Sequence, residues 1–225
     1  MDSLNLSKSY DFFKPEAVKE SIHIIGCGSV GSTVTELLVR FGLTKLVLYD
    51  FDWVEPHNLA NQIFLQEHVS KPKIEALTDI LCSINPEIKN TIKGVPGYVG
   101  HKLSGYVFLC VDNIDLRRKI ASENRNNPYI KAMFDFRTRL ADAQHYAAEW
   151  SNLSMVNDFI NSMNFTHDEA RAETPVSACN VTLSVAPTVR VICALGVTNF
   201  INFVKGEQLK KFIQMDVFSF LLDAF

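Results

Sequence analysis

Residues 22–61 read IHIIGCGSVGSTVTELLVRFGLTKLVLYDFDWVEPHNLAN, and this stretch decides the fold. An apolar strand over 22–25 runs into Gly26-Cys27-Gly28-Ser29-Val30-Gly31. A helix is predicted over 29–41, with Val30, Val34, Leu37, Leu38 and Phe41 at helical spacing and Gly42 ending it. A second strand over 45–49 ends in Asp50. Strand, glycine loop, helix, strand and acidic residue together form the glycine-rich nucleotide fingerprint. Gly26 permits the tight turn, Gly28 lets the backbone approach a phosphate, and Gly31 lets the helix pack close to the sheet. The helix start offers free N–H groups and partial positive charge to an anion. Asp50 stands where a carboxylate accepts from ribose hydroxyls.

Working outward, residues 70–84 predict a second helix, with Ser70 as N-cap and Pro72 in the first turn. Its apolar face is Ile74, Leu77, Leu81 and Ile84, and Asn85-Pro86 closes it. Strands are expected over 91–95 and over 106–111, the latter a continuous apolar run typical of a strand buried on both faces. A helix is expected over 116–124. Residues 129–136 and 140–150 read as later, antiparallel strands. Residues 151–178 are polar and poorly periodic, which suggests a mobile loop or lid. Residues 188–204 predict a buried helix. The expected fold is α/β, a Rossmann-like doubly wound sheet, mostly parallel with added antiparallel strands. Residues 1–20 form a lead-in, 21–206 the nucleotide-binding domain and 207–225 an apolar tail.

The chain has 225 residues, 47% apolar and 21% charged, with a net charge of −3. That describes a globular domain with a substantial core. There is no long basic run, so no nucleic-acid partner is expected. The start lacks a secretory signal, and the most apolar run, 191–201, is too short to span a bilayer. Cys27, Cys82, Cys110, Cys179 and Cys193 are scattered, without a C-x-x-C pair. This usage suggests a reducing, cytoplasmic setting with neither disulfide framework nor zinc site.

The glycine loop alone is compatible with NAD or ATP, and the residues beyond it break the tie. Residues 50–62, DFDWVEPHNLANQ, resemble the D-x-D-x-V-x-x-x-N-L-x-R-Q segment of the ThiF family, which includes ubiquitin-activating enzymes and bacterial adenylyltransferases. Ser70-Lys71-Pro72-Lys73-Ile74-Glu75-Ala76 resembles the family's G-K-x-K-A helix start, and Ile84-Asn85-Pro86 its I-N-P end. Val111-Asp112-Asn113 followed by Arg117 resembles its aspartate-asparagine pair and following arginine. The resemblance covers residues 21–118 well and 175–206 more loosely.

It implies an ATP-dependent adenylyltransferase that activates the C-terminal carboxylate of a small ubiquitin-like protein or a peptide. By resemblance, Asp50 holds the ribose, Asn58, Asn61 and Lys73 serve the phosphates, and Asp112 holds Mg²⁺. Lysine in a first helical turn opposes the helix dipole, and a polyphosphate would offset that. Asp112 also admits a structural reading, as a cap on the helix beginning near Ile114. Two departures stand out. Asn61 occupies the position of the family's arginine, and the usual N-terminal arginine has no clear counterpart. Arg137 and Arg139 are candidates for replacement charge, and Lys8 or Lys14 for the N-terminal arginine. The alternatives are a non-catalytic ThiF-like subunit and, with only the glycine loop in its favour, a nicotinamide-dependent oxidoreductase. Cys179, in the crossover before the last helix, is a candidate thiol nucleophile or a small buried cysteine. Family members are commonly homodimers, and the apolar tail suits an interface or the chain's own core.

Overall fold

The computed structural model describes residues 4–173 and 183–225. Among them eight strands form one sheet in the order β3-β2-β1-β4-β5-β6-β7-β8. The strands are β1 (Ile22–Ile25), β2 (Leu46–Asp50), β3 (Lys93–Pro96), β4 (Gly105–Leu109), β5 (Ile130–Thr138), β6 (Asp142–Glu149), β7 (Phe212–Asp216) and β8 (Leu221–Ala224). The helices are α1 (Ser29–Arg40), α2 (Lys73–Ile84), α3 (Ile114–Glu123), α4 (Leu153–Asn161), α5 (His167–Ala172) and α6 (Ala186–Val204). Strands β1 to β5 run parallel, and β6, β7 and β8 continue the sheet antiparallel. The fold is the expected doubly wound α/β sheet with antiparallel additions.

β1 lies between β2 and β4, with Ile24 opposite both Leu48 and Phe108. Covered on both faces, all four of its residues are buried, which is why three of them are isoleucine; the fourth, His23, has Nδ1 2.9 Å from the Tyr49 hydroxyl. Across the sheet Phe108 stacks on Phe134 at 4.7 Å, and Phe200 of α6 meets both edge-on. α6 packs on α1, β5, β6 and β7. Its Gly196 makes this approach possible, because a Cβ there would stand 2.2 Å from the Phe136 ring. α6 is long and apolar enough to cross a bilayer by composition, with half of it buried inside this fold.

The segments that depart from sequence expectation do so for local reasons. α2 begins at Lys73 rather than Ser70. Ser70 adopts a left-handed φ of 68° and cannot cap the helix. Residues 70–73 pair instead with 52–54: Ser70 N–H donates to the Val54 carbonyl, Val54 N–H to Lys71 and Lys73 N–H to Asp52. β5 is parallel to β4 and antiparallel only to β6. Residues 151–173 are not an open lid. Asn152 caps α4, and Thr166 with Glu169 forms a reciprocal capping box on α5. Residues 212–224 form the β7–β8 hairpin, whose outer strand is exposed along its length.

A buried polar pair pins α6 to the sheet. His145 of β6 is fully buried, with Nδ1 3.1 Å from the Asp135 carbonyl and Nε2 3.3 Å from Asn199 of α6. A carbonyl only accepts, so Nδ1 carries the proton and Nε2 accepts from the amide. Desolvation holds the His145 pKa down at about 4. The unfolded chain takes up this proton near pH 6.5, so between those values the unfolded state binds more protons. Stability is therefore full above about pH 6.5 and falls as pH drops towards 4, by about 3 kcal/mol for this group. His145→Gln should flatten the dependence of urea midpoint on pH in that window. An unchanged slope would show that other groups carry the acid sensitivity.

Candidate functional site

Three segments converge at the carboxyl ends of neighbouring strands: the glycine loop after β1, Asp50 at the end of β2 and Asp112 after β4. The chain order reverses between β1 and β4, and open α/β sheets bind ligands at such a switch point. Each glycine has a separate reason. Gly26 has φ +94°, and a Cβ on it would lie 2.7 Å from the Val111 nitrogen. A Cβ on Gly31 would lie 1.8 Å from the Gly26 carbonyl oxygen, so α1 seats directly on the turn. A Cβ on Gly28 would meet nothing within 4 Å. Gly28 therefore faces open space at the start of α1, as a phosphate-approach position requires. Ser32, one turn further in, keeps a buried hydroxyl without a partner among the described residues.

One substitution tests this. Gly28→Ala should fold normally; if the open space admits a phosphate oxygen of ATP, the methyl would occupy it and weaken ATP binding roughly tenfold. Equal affinity for the two proteins in a calorimetric titration would place the phosphates elsewhere.

Asp50 is tied to the loop. Its Oδ2 accepts from Cys27 N–H at 2.6 Å and its Oδ1 from Asp52 N–H at 2.8 Å. The carboxylate is fixed in direction, and its remaining lone pairs are free for hydroxyl donors. Lys73 is the first residue of α2, and its Nζ lies 2.8 Å from Asp52 Oδ2. Asn58 is buried, and its side-chain oxygen accepts from Glu55 N–H to close the short helix Pro56–Ala60. Asn61 follows on that segment, half-buried, its N–H on the Asn58 carbonyl.

Asp112 is exposed, and the capping of α3 falls to its neighbour: Asn113 Oδ1 accepts from Leu116 N–H at 3.0 Å. Among the described residues the carboxylate of Asp112 is therefore not the cap of α3. The described residues contain no cluster of three or more His, Cys, Asp or Glu side chains suited to a metal. A metal at Asp112 would complete its shell with phosphate oxygens and water, the usual way magnesium is held beside a nucleotide.

Arg117 of α3 holds this end of the sheet. Its guanidinium donates to the carbonyls of Val111 and Phe136 and pairs with the fully buried Asp135 at 2.8 Å. Arg137 pairs with the other Asp135 oxygen at 2.7 Å, donates to Ser162 and lies over the Tyr146 ring. Arg139 is 2.7 Å from Glu173. Both replacement candidates are thus engaged in structural contacts. Asp52 and Asp135 were missed as partners of the site. The signal for Asp52 was present: a lysine opening a helix calls for a counter-charge, and the segment Asp50-Phe51-Asp52 offers one two residues past the ribose carboxylate.

Cys179 lies outside the described residues. Cys27, Cys110 and Cys193 are buried, Cys82 is half-buried, and burial raises all four thiols above their ordinary range.

Comparison with known proteins fits this geometry. Residues 15–225 match the ThiF family. Ubiquitin-like modifier-activating enzyme 5 of Drosophila persimilis is 31% identical over 135 residues, which cover 52% of this chain and 34% of that enzyme. Its counterpart from Oryza sativa subsp. japonica is 33% identical over 115 residues, 43% and 27% of the respective chains. The chain spans about a third of the length of these relatives. Among solved structures, E. coli MccB with MccA-N7isoASN superposes with a TM-score of 0.71 at 18% identity, over 94% of this chain and 66% of that one. E. coli MccB with ATP superposes at 0.67 and 19% identity, over 94% and 65%. Those likenesses establish the shared fold, and the match over residues 15–225 establishes that the chain belongs to the ThiF family.

Proposed function

We propose that this chain is an adenylyltransferase that activates the C-terminal carboxylate of a small ubiquitin-like protein or a peptide. The observation that carries the reading is the convergence at the β1/β4 switch point of the open space at Gly28, the fixed carboxylate of Asp50 and the exposed carboxylate of Asp112, which makes no ion pair among the described residues. Relatives named as modifier-activating enzymes, and the likeness to an MccB crystallised with ATP, support it.

In this reaction an oxygen of the acceptor carboxylate attacks the α-phosphorus of ATP. The new P–O bond forms as the bond to the β-phosphate bridging oxygen breaks, and pyrophosphate leaves. Little covalent work falls to the protein, so positioning and charge stabilisation dominate. Asp50 orients the ribose. The N–H groups at the start of α1 hold phosphate oxygens. Lys73 neutralises charge on the departing pyrophosphate, and Asp112 holds Mg²⁺, which supplies further charge neutralisation when bound. A homodimer and a cytoplasmic setting belong to the same proposal, and light scattering tests the first.

ATP–pyrophosphate exchange with candidate acceptors tests the activity, and calorimetry with ATP·Mg²⁺ and with NAD tests the nucleotide. Tight NAD binding without ATP binding would overturn the reading. A second reading, a non-catalytic subunit, draws on Asn61 at the arginine position and on the engagement of Arg137 and Arg139 elsewhere. ATP binding without exchange, for every acceptor tried, would favour it.

Onward transfer to the Cys179 thiol is a further part of the proposal. Brief alkylation at neutral pH should modify Cys179 first, because burial keeps the other four cysteines largely protonated. Cys179→Ser should then stop transfer while preserving exchange. Mass spectrometry that finds Cys82 modified ahead of Cys179 would remove the nucleophile and leave the adenylation proposal standing.

A further inference from the structure

The lysine assigned to the phosphates already has a partner. Lys73 opens α2, where the helix dipole repels a cation. Its side chain is only 9% exposed, so the ammonium sits largely out of water and needs a counter-charge. Asp52 supplies it at 2.8 Å, from a side chain that is 51% exposed. The backbone of Asp52 is held at both ends. Its N–H donates to Asp50 Oδ1, its carbonyl accepts from Lys73 N–H, and Asp50 in turn accepts from Cys27 N–H in the glycine loop. A continuous chain of hydrogen bonds therefore runs from the phosphate loop to Lys73. The Asp52 side chain is exposed where Asp50 is only half-buried, and among the described residues its carboxylate makes no other ion pair.

We propose that Asp52 is a resting counter-ion for Lys73, displaced by the polyphosphate arm of the incoming nucleotide. This rests on the ATP reading and adds a positioning residue to it. In the empty site Asp52 pairs with the largely buried ammonium and holds the start of α2 in place. A triphosphate carries more charge than one carboxylate and takes over the same donors. The exchange needs only rotation of an exposed side chain, since the backbone of residue 52 stays fastened to Asp50 and Lys73. The ribose end of the site is therefore insulated from the change.

The test is equilibrium binding of ATP, adenosine and inorganic pyrophosphate. The proteins are the wild-type chain, Asp52→Asn, Asp52→Glu, Lys73→Met and the double variant Asp52→Asn/Lys73→Met. Removing the competing charge should tighten ATP and pyrophosphate by about three- to fivefold, the range of a half-exposed ion pair. Adenosine should bind unchanged, and Asp52→Glu should restore wild-type behaviour. In the Lys73→Met background the Asp52 substitution should change nothing, because the group it competed for is gone. Weaker ATP binding by Asp52→Asn, an equal change for adenosine, or an effect that persists without Lys73 would each overturn the counter-ion role. Asp52→Ser carries the same expectations and replaces the asparagine variant if that one does not fold. A wild-type chain that binds neither ATP nor pyrophosphate would overturn the nucleotide reading and this proposal with it. The variant outcomes, read against a wild type that binds, bear on Asp52 alone.

Discussion

Asp112→Ala is expected to lower ATP–pyrophosphate exchange about a thousandfold, the scale of losing a charge-stabilising group at a reacting phosphate. The same substitution should leave the melting temperature within about 1 °C. Asp112 is exposed, and the helix that follows is capped by Asn113. The neighbouring variant supplies the opposite profile. Asn113→Ala removes the acceptor for Leu116 N–H and should cost about 1 kcal/mol of stability, with a much smaller loss of exchange. Two adjacent residues thus separate ligand binding from helix capping. Full exchange activity in Asp112→Ala would take the metal away from this residue. A large drop in its melting temperature would show that the carboxylate has a structural task after all.

That separation was not available from the sequence, where Asp112 and Asn113 both stand one or two residues before a helix. Either side chain is a competent N-cap, and only the direction of the Asn113 oxygen decides between them. The parallel half of the sheet was more legible. β4 throughout, and β1 but for His23, are apolar because neighbouring strands and helices enclose them, and their buried faces leave a pattern that few other elements share. Helix boundaries fared worse wherever tertiary pairing overrode local preference. Ser70 is a good cap in isolation, but the pairing of residues 70–73 with 52–54 twists it into a left-handed conformation. α4 and α5 were hidden because a short helix exposed on one side offers few apolar positions to count. Their signals were the caps, Asn152 and the Thr166–Glu169 box. Among the candidate site positions, the loop glycines and Asp50 stand out by type and spacing, and Lys73 by resemblance and by its place in a first helical turn. Asp135 does not, since a carboxylate's partner is a property of the fold, and Asp52 offered only the general signal of a carboxylate near a lysine in a first helical turn.

Arg117→Leu is expected to cost about 3 kcal/mol, the lower end of the range for breaking a buried ion pair. In a domain of this size that is a fall in melting temperature of roughly 10 °C. The lower end applies because Arg137 remains on the second oxygen of Asp135 and keeps that carboxylate from standing alone. Arg117→Lys should be nearly as damaging. One ammonium cannot reproduce a planar fork that serves Val111, Phe136 and Asp135 at once. The consequence for function follows from where the fork points. Val111 immediately precedes Asp112, and its backbone nitrogen borders Gly26 of the phosphate loop. Freeing the Val111 carbonyl therefore loosens both the Asp112 carboxylate and the wall behind the loop. Exchange assayed well below the new melting point should fall at saturating ATP, which marks misplacement of groups rather than loss of folded protein. Arg137→Leu is the control. It removes the other half of the Asp135 pair without touching Val111, so it should lower stability while leaving the saturating rate close to wild type. Equal rate losses in the two variants would mean that Asp135, rather than the Val111 carbonyl, transmits the effect.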